Sequence, residues 1–193
     1  LGESVAITEI RIHPTSDDFN QIGNGFGFPT RFRIECSDDP TFKKSSVVAD
    51  QTKFDYPKVG LAFYSSSPKS VAARYVRITA TKLTARLNDY IMAISEIVVL
   101  DEAGQNLALN KSISAATSIE QGERWAKQNA TDGIWPLPAD VSKTQQRASL
   151  LLRAEAELKN ARTPERIKRL SELANLIKDS QAALDAQPAG RMV

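Results

Sequence analysis

The sequence has few of the residues that build disulfide, zinc or catalytic sites. It contains one cysteine, Cys36, and one histidine, His13, in 193 residues. A single cysteine excludes an internal disulfide and a cysteine-based zinc site. A Ser-His-Asp triad would have to be built around His13, and no G-x-S-x-G motif is present. We therefore expect no enzymatic activity.

Long apolar runs and a large excess of one charge are also missing. No stretch of about 18 consecutive apolar residues occurs, so the sequence predicts no membrane span. The formal net charge is +2, which gives no electrostatic support for a nucleic-acid partner. A content of 41% hydrophobic and 25% charged residues is typical of a folded globular chain rather than a disordered one.

Clean alternation of apolar and polar residues predicts two β-strands. In TRFRIEC (30–36) one face carries Phe32, Ile34 and Cys36, and the other face is charged. RYVRITATKL (74–83) alternates in the same way. Each strand is therefore expected to be buried on one side, and the cysteine is expected to be a buried structural thiol rather than a nucleophile.

Other segments give less regular strand signals. VAITEIRI (5–12) changes parity part-way, which predicts a bulge or a break near Thr8–Glu9. SSVVAD (45–50) is a short strand candidate, and IMAISEIVVL (91–100) is apolar on both parities, as in a central strand covered on both faces. Residues 14–29 are rich in glycine, proline and aspartate and predict a long loop.

The apolar period becomes helical from about residue 141. TPE at 163–165 is a helix start, and apolar positions then recur at steps of 3 and 4 over 167–184. With the helix before it, this segment predicts an antiparallel αα-hairpin over about 143–187. Its apolar stripe packs within the hairpin and on the rest of the chain, or it mediates self-association with a second copy.

The predicted fold class is mainly β. We expect an antiparallel jelly-roll β-sandwich over residues 1–138, because many short strands with long loops are typical of sandwiches rather than of βαβ units. An α-helical hairpin, resembling a coiled coil, is expected to follow as an appendage over residues 139–193.

Three segments carry a resemblance to a known family. They are ARYVRITATKL (73–83), AISEIVVL (93–100) and NLALNKSISAATS…ATDGIW (106–135). Together they make residues 1–135 resemble the discoidin, or coagulation factor V/VIII type C, domain, a galactose-binding-like sandwich that also supplies many bacterial carbohydrate-binding modules. GFGFPTRFRIECSDDPTF (25–42) resembles the subgroup attached to large bacterial α-L-rhamnosidase-like and planctomycete cytochrome-containing proteins.

The order of these segments differs from that family. There, an NLALNK-like strand and a DG…W loop open the domain, whereas here they come last. Since a further sandwich needs on the order of 100 residues, too few remain before the helices. The favoured interpretation is a circularly permuted order, in which residues 106–135 fold back as an edge strand and loop. The alternative is a chain cut between two domains, with this segment loosely ordered.

The resemblance implies a non-catalytic, carbohydrate-binding-type accessory module of a larger secreted bacterial protein. The chain begins LGESV without Met, so we expect a fragment whose partners are a glycan and the rest of the parent polypeptide. The expected location is periplasmic or extracellular. The alternative function is a structural spacer or protein-docking domain with no sugar ligand.

Sugar binding needs an aromatic platform and hydrogen-bonding side chains at one rim of the sandwich. The candidates are His13, Phe26, Phe28, Tyr64, Arg124 and Trp125. The alternative for each ring is packing in the core or in a loop.

A structural calcium ion is also implied by the resemblance. In that family such an ion often ties the DG loop to the acidic residue of the last strand, and the matching positions are Asp132 and Glu96. The alternative is an ordinary turn at Asp132 and an ion-paired strand residue at Glu96.

Overall fold

The structure, a computed structural model, describes residues 1–17, 22–58, 60–121 and 125–137, and seven helical positions between 168 and 179. The described part is mainly β, as predicted, and its strands pair antiparallel. The strands are β1 (Val5–Ile7), β2 (Glu9–His13), β3 (Thr15–Asp17), β4 (Gly23–Phe26), β5 (Arg31–Ser37), β6 (Ser46–Gln51), β7 (Tyr64–Ser66), β8 (Val71–Ala73), β9 (Tyr75–Lys82), β10 (Thr84–Arg86), β11 (Asp89–Ile91) and β12 (Glu96–Leu100). A 3₁₀-helix follows at Lys127–Thr131.

The chain divides into two compact units, Leu1–Pro136 and Leu137–Val193. In the second unit the described positions between 168 and 179 are helical, within the segment where a second helix was predicted. The rest of the predicted hairpin, including its whole first helix, lies outside the described residues.

Two three-stranded sheets form the centre of the first unit. One has the order β6-β5-β9 and the other the order β12-β2-β7. In β5 the side chains of Phe32, Ile34 and Cys36 are buried, and Ile34 lies opposite Ile78 of β9. The predicted apolar face of β5 is therefore confirmed, but Glu35 on the opposite face is buried too, where it pairs with Arg77. In β9, Val76 and Ile78 pack against the core while remaining partly buried, and no alternation of burial separates its two faces. Burial also raises the pKa of the Cys36 thiol to about 11, which fits a structural residue.

The parity change near the N-terminus is a break between two strands, as predicted. Thr8 lies between β1 and β2, and its backbone N–H and its hydroxyl both donate to the carbonyl of Leu100. On one side of Thr8, β1 pairs with β8; on the other, β2 pairs with β12 and β7. The break lets one continuous segment contribute to two sheets.

One hydrophobic core is shared by these sheets. It combines residues of β1, β2, β5, β6, β8 and β12 with one residue from beyond the last strand: Ile7, Ile10, Ile12, Phe32, Ile34, Cys36, Ala49, Ala73, Val99 and Ala108. The ring of Phe32 makes edge contacts with Tyr56 and Tyr64, whose centroids lie 5.8 and 4.9 Å away. This ring cluster closes the core beneath the loops that precede β5.

Two expectations about strands are wrong. The segment 14–29 is not only loop, since β3 and β4 form a hairpin in which the Thr15 hydroxyl donates to the carbonyl of Phe26 (2.7 Å). Gly25 allows this hairpin because its φ is +78° and a Cβ there would lie 2.8 Å from the Gly60 carbonyl oxygen. β12 is covered on both faces but is the end strand of its sheet, not a central one.

Residues 106–136 belong to the same compact unit as the preceding strands. The expected edge strand, however, is a turn. The side-chain oxygen of Asn106 accepts the N–H groups of Val99 and Ala108, both at 3.1 Å, and the N–H of Leu107 donates to the carbonyl of Val99. The asparagine thus caps the end of β12, because its short side chain competes successfully with ladder hydrogen bonds.

Candidate functional site

The topology gathers three connections at one end of the two sheets. At this end β2, β6 and β9 finish, while β5, β7 and β12 begin. The connecting segments 14–30, 52–63 and 83–95 therefore lie side by side, and we call them the rim. Loops held by a rigid sheet are the usual place for binding residues.

A shallow, open groove of about 540 Å³ lies in the rim. Its lining includes Thr30, Lys58, Lys82, Leu83, Thr84 and Tyr90. The Tyr90 side chain is 73% exposed, so its ring is available at the groove rather than packed in the core. The groove thus combines an aromatic ring with hydroxyl and ammonium groups.

A short hairpin carries Tyr90. Strands β10 and β11 are joined by a two-residue turn at 87–88, and Tyr90 lies opposite Ala85. An ion pair between Arg86 and Asp89 closes the hairpin next to the turn. Leu87 at the tip is fully exposed and has a φ of +43°, a conformation that is unusual for a residue with a branched side chain.

Hydrogen bonds also connect the groove residues Thr30, Lys82 and Thr84 to their neighbours. The N–H of Thr30 donates to the carbonyl of Lys82 (2.9 Å), and the Thr84 hydroxyl donates to the carbonyl of Phe28 (2.6 Å). The carboxylate of Asp55 accepts the Lys82 ammonium (2.7 Å) and Arg31 Nε (2.5 Å), and these bonds lower the Asp55 pKa. Lys82 is therefore held in a fixed position.

A second polar cluster is buried against the outer face of the other sheet. His13 lies directly opposite Glu96 across β2 and β12. The His13 ring is covered by Phe63 and Trp135, with centroids 5.0 and 4.4 Å away. Burial, with the nearby charge of Arg11, lowers the His13 pKa to about 4, and its Nε2 has no hydrogen-bond partner among the described residues.

Glu96 is completely buried beneath the turn that precedes Trp135. Its Oε2 accepts the backbone N–H of Gly133 at 3.2 Å, and its Oε1 is unpartnered within the described part of the chain. Burial is the main reason why the Glu96 pKa rises to about 8, and the negative charge of Asp132 adds to the rise. The side chain therefore fastens the last turn of the unit onto the sheet.

The expected calcium ligands give only a partial set. Glu96 supplies one free oxygen, while an oxygen of Asp132 accepts the N–H of Ile134 at 2.8 Å. Over the residues that the structure describes, no group of three or more His, Cys, Asp or Glu side chains comes together in a way that could hold a metal ion. Calcium stays a prediction.

Of the residues expected to bind sugar, the structure brings Phe28 and Tyr64 into one ring cluster with Phe32 and Tyr56, in the core rather than at an open surface. His13 is covered by neighbouring rings, and Phe28 and Tyr64 pack against the core. Phe26 is a half-buried residue of β4. The exposed Trp125 exchanges backbone hydrogen bonds with Gln121 and does not line the rim groove, and Arg124 lies outside the described residues.

The groove residues were missed because the β10–β11 hairpin was not predicted. Its signal is present in TARLNDYI (84–91), where the turn-forming Asn88 and Asp89 stand between two short alternating segments. The alternation covers only three residues on each side, which is too short for a confident strand assignment from periodicity.

Comparison with family models, curated proteins and solved structures gives no match. In the described part of the chain, no helix has the length and apolar character needed to cross a membrane. The functional assignment therefore depends on the geometry of the groove and on the residues that line it.

Proposed function

We propose that residues 1–136 form a non-catalytic binding module whose rim groove holds a carbohydrate. The observation that supports this most directly is the exposed ring of Tyr90 beside the hydroxyls of Thr30 and Thr84 and the ammonium groups of Lys58 and Lys82. A sugar ring offers an apolar C–H face to an aromatic side chain and hydroxyls to polar side chains, so this combination suits it.

The shape of the groove fits an oligosaccharide better than an enclosed small molecule. The groove is open to solvent, whereas sites that take small apolar ligands bury most of the ligand surface. An extended glycan can lie across such an opening and contact several rim segments. Binding of this kind is expected to be weak at each site and to depend on the aromatic contact.

The proposed fold is a jelly-roll sandwich of the discoidin, galactose-binding-like type. Its support is the pair of antiparallel three-stranded sheets with a shared core, together with the motif resemblance of residues 1–135. A place in a larger, exported bacterial protein is part of the same proposal. Calcium at Glu96 and Asp132 stays a separate prediction, because neither residue lines the rim groove.

A glycan array with matched variants tests the proposal. The wild-type module should bind a set of glycans, and Tyr90→Ala should abolish that binding. Phe54→Ala is the control, because Phe54 is 76% exposed in the same rim but does not line the groove. Equal binding by wild type and Tyr90→Ala would contradict the proposed site.

A protein-docking role is the second candidate, and Leu87 is the observation that favours it. A fully exposed leucine at a strained turn is not explained by folding, since it contacts no core and its φ would suit glycine or asparagine better. An array on which the wild-type module binds no glycan would favour this second candidate over sugar binding.

A further inference from the structure

The charges around the groove are unequal. Among its lining residues are two lysines and no carboxylate. The carboxylate of Asp55 is shared between Lys82 and Arg31, so its single negative charge neutralises only one of these two cations. Lys58 takes part in none of the ion pairs among the described residues. The groove wall therefore carries an excess of about two positive charges.

The chain close to Lys58 is anchored. Two residues earlier, the N–H of Tyr56 donates to the carbonyl of Thr30 (2.8 Å), and the Tyr56 ring packs against Phe32 and Tyr64. Thr30 itself lines the groove. The backbone close to Lys58 is thus attached to the groove wall by a hydrogen bond. This attachment reduces the backbone conformational entropy that is lost when the Lys58 ammonium binds an anion.

We propose that the groove selects acidic glycans, with a saccharide ring on Tyr90 and its anionic group, a carboxylate or a sulfate, at Lys58. This inference rests on the proposed carbohydrate-binding function and adds the class of sugar. A charge-assisted hydrogen bond from a lysine is stronger than a neutral one, so it can discriminate an acidic sugar from its neutral counterpart.

The test compares matched ligands. The probes are a galacturonic-acid oligosaccharide, the same oligosaccharide as its neutral methyl ester, and a sulfated galactose oligosaccharide. Titration calorimetry should show the acid bound about tenfold more tightly than the ester, in line with the strength of a hydrogen bond to a charged group. The preference should shrink as salt is raised, because the lysine is exposed.

Two lysine variants localise the effect. Lys58→Gln should remove the preference for the acid over the ester. Lys53→Gln should keep the preference, because Lys53 is an exposed lysine of the same rim segment that does not line the groove. Loss of the preference in both variants would indicate a general charge effect and would overturn the assignment to Lys58.

The outcomes separate the two proposals. Equal binding of acid and ester, both abolished by Tyr90→Ala, would overturn the inference and leave the proposed function intact. No binding of any of the three probes, together with a blank glycan array, would overturn both. Tight binding of the sulfated probe alone would identify sulfate as the anion, and tight binding of the uronate alone would identify carboxylate; either supports the inference.

Discussion

Replacing Glu96 by glutamine should remove the loss of folding stability between pH 6.5 and about 8. Glu96 is fully buried, and Gly133 donates to one of its oxygens. The carbonyl oxygen of a glutamine can accept the same hydrogen bond, so the variant keeps the contact and loses only the ionisable group. Burial raises the Glu96 pKa from 4.5 to about 8, so the folded protein retains a proton that the unfolded chain releases.

The sign and size of the effect follow from groups whose pKa shifts act in opposite directions. Because the folded-state pKa of Glu96 is raised, its contribution to stability is complete below pH 4.5 and is lost as the pH rises to about 8. His13 has a pKa lowered from 6.5 to about 4, so stability is lost as the pH falls through that window. Above pH 6.5 Glu96 dominates, and at about 1.4 kcal/mol per pH unit it lowers the stability of the wild-type protein by on the order of 2 kcal/mol by pH 8. The Leu1 amino group, whose pKa burial lowers from 8.0, acts in the opposite direction in this window.

Urea unfolding at pH 6.5 and pH 8, in the presence of EDTA, measures this difference. The free energy of unfolding should fall between pH 6.5 and pH 8 in the wild-type protein and should not fall in Glu96→Gln, with equal urea dependence in both. Glu9→Gln is the control, because Arg11 lowers the Glu9 pKa to about 2 and the group does not titrate in this range. A flat wild-type profile, or an equally steep fall in the variant, would refute the reasoning.

The same unfolding measurement with calcium in place of EDTA gives a second readout. A cation at Glu96 would favour its charged form and would therefore offset the loss of stability at pH 8. If added calcium stabilises the wild-type protein but not Glu96→Gln, the calcium prediction is supported. If calcium changes neither protein, Glu96 is a buried neutral acid that holds its turn by hydrogen bonding alone.

The remaining predictions concern packing, capping and backbone strain, each measured by urea unfolding. Trp135→Ala should lower the free energy of unfolding by about 3 kcal/mol, because the Trp135 ring covers His13. Trp125→Ala should lower it by about 1 kcal/mol or less, because Trp125 is 46% exposed. Similar losses in the two variants would contradict the packing described. Asn106→Ala should cost about 1–2 kcal/mol, because two backbone N–H groups lose their acceptor. Leu87→Asn should raise stability by roughly 0.5–1 kcal/mol, since asparagine tolerates positive φ; a lower stability would show that Leu87 has a folding role.

Strand faces were predictable from the sequence because successive side chains of a strand point to opposite sides. That rule alone placed Phe32 and Ile34 in the core, and it placed a break at Thr8, where the parity changes. No knowledge of neighbouring strands was needed for either result.

Elements whose stability comes from partners distant in the sequence were not predictable in this way. The β3–β4 hairpin forms in a glycine-rich segment because Gly25 allows close approach of the backbone at Gly60. The NLALNK segment has strand-like residue types, yet Asn106 caps β12 and the segment turns away. In both cases a tertiary contact outweighs local propensity.

The sequence by itself determined which strands have an apolar face, where the first strand breaks and that a single cysteine cannot build an internal disulfide or a cysteine-based zinc site. Only the tertiary structure decided which aromatic rings are open to a ligand. Phe28 and Tyr64 are packed against the core, while Tyr90 is exposed on a short hairpin. It also decided that His13 and Glu96 face each other, because strand register joins residues far apart in the chain. Exposure depends on what covers a residue, and register depends on which strands pair. A local sequence pattern contains neither kind of information.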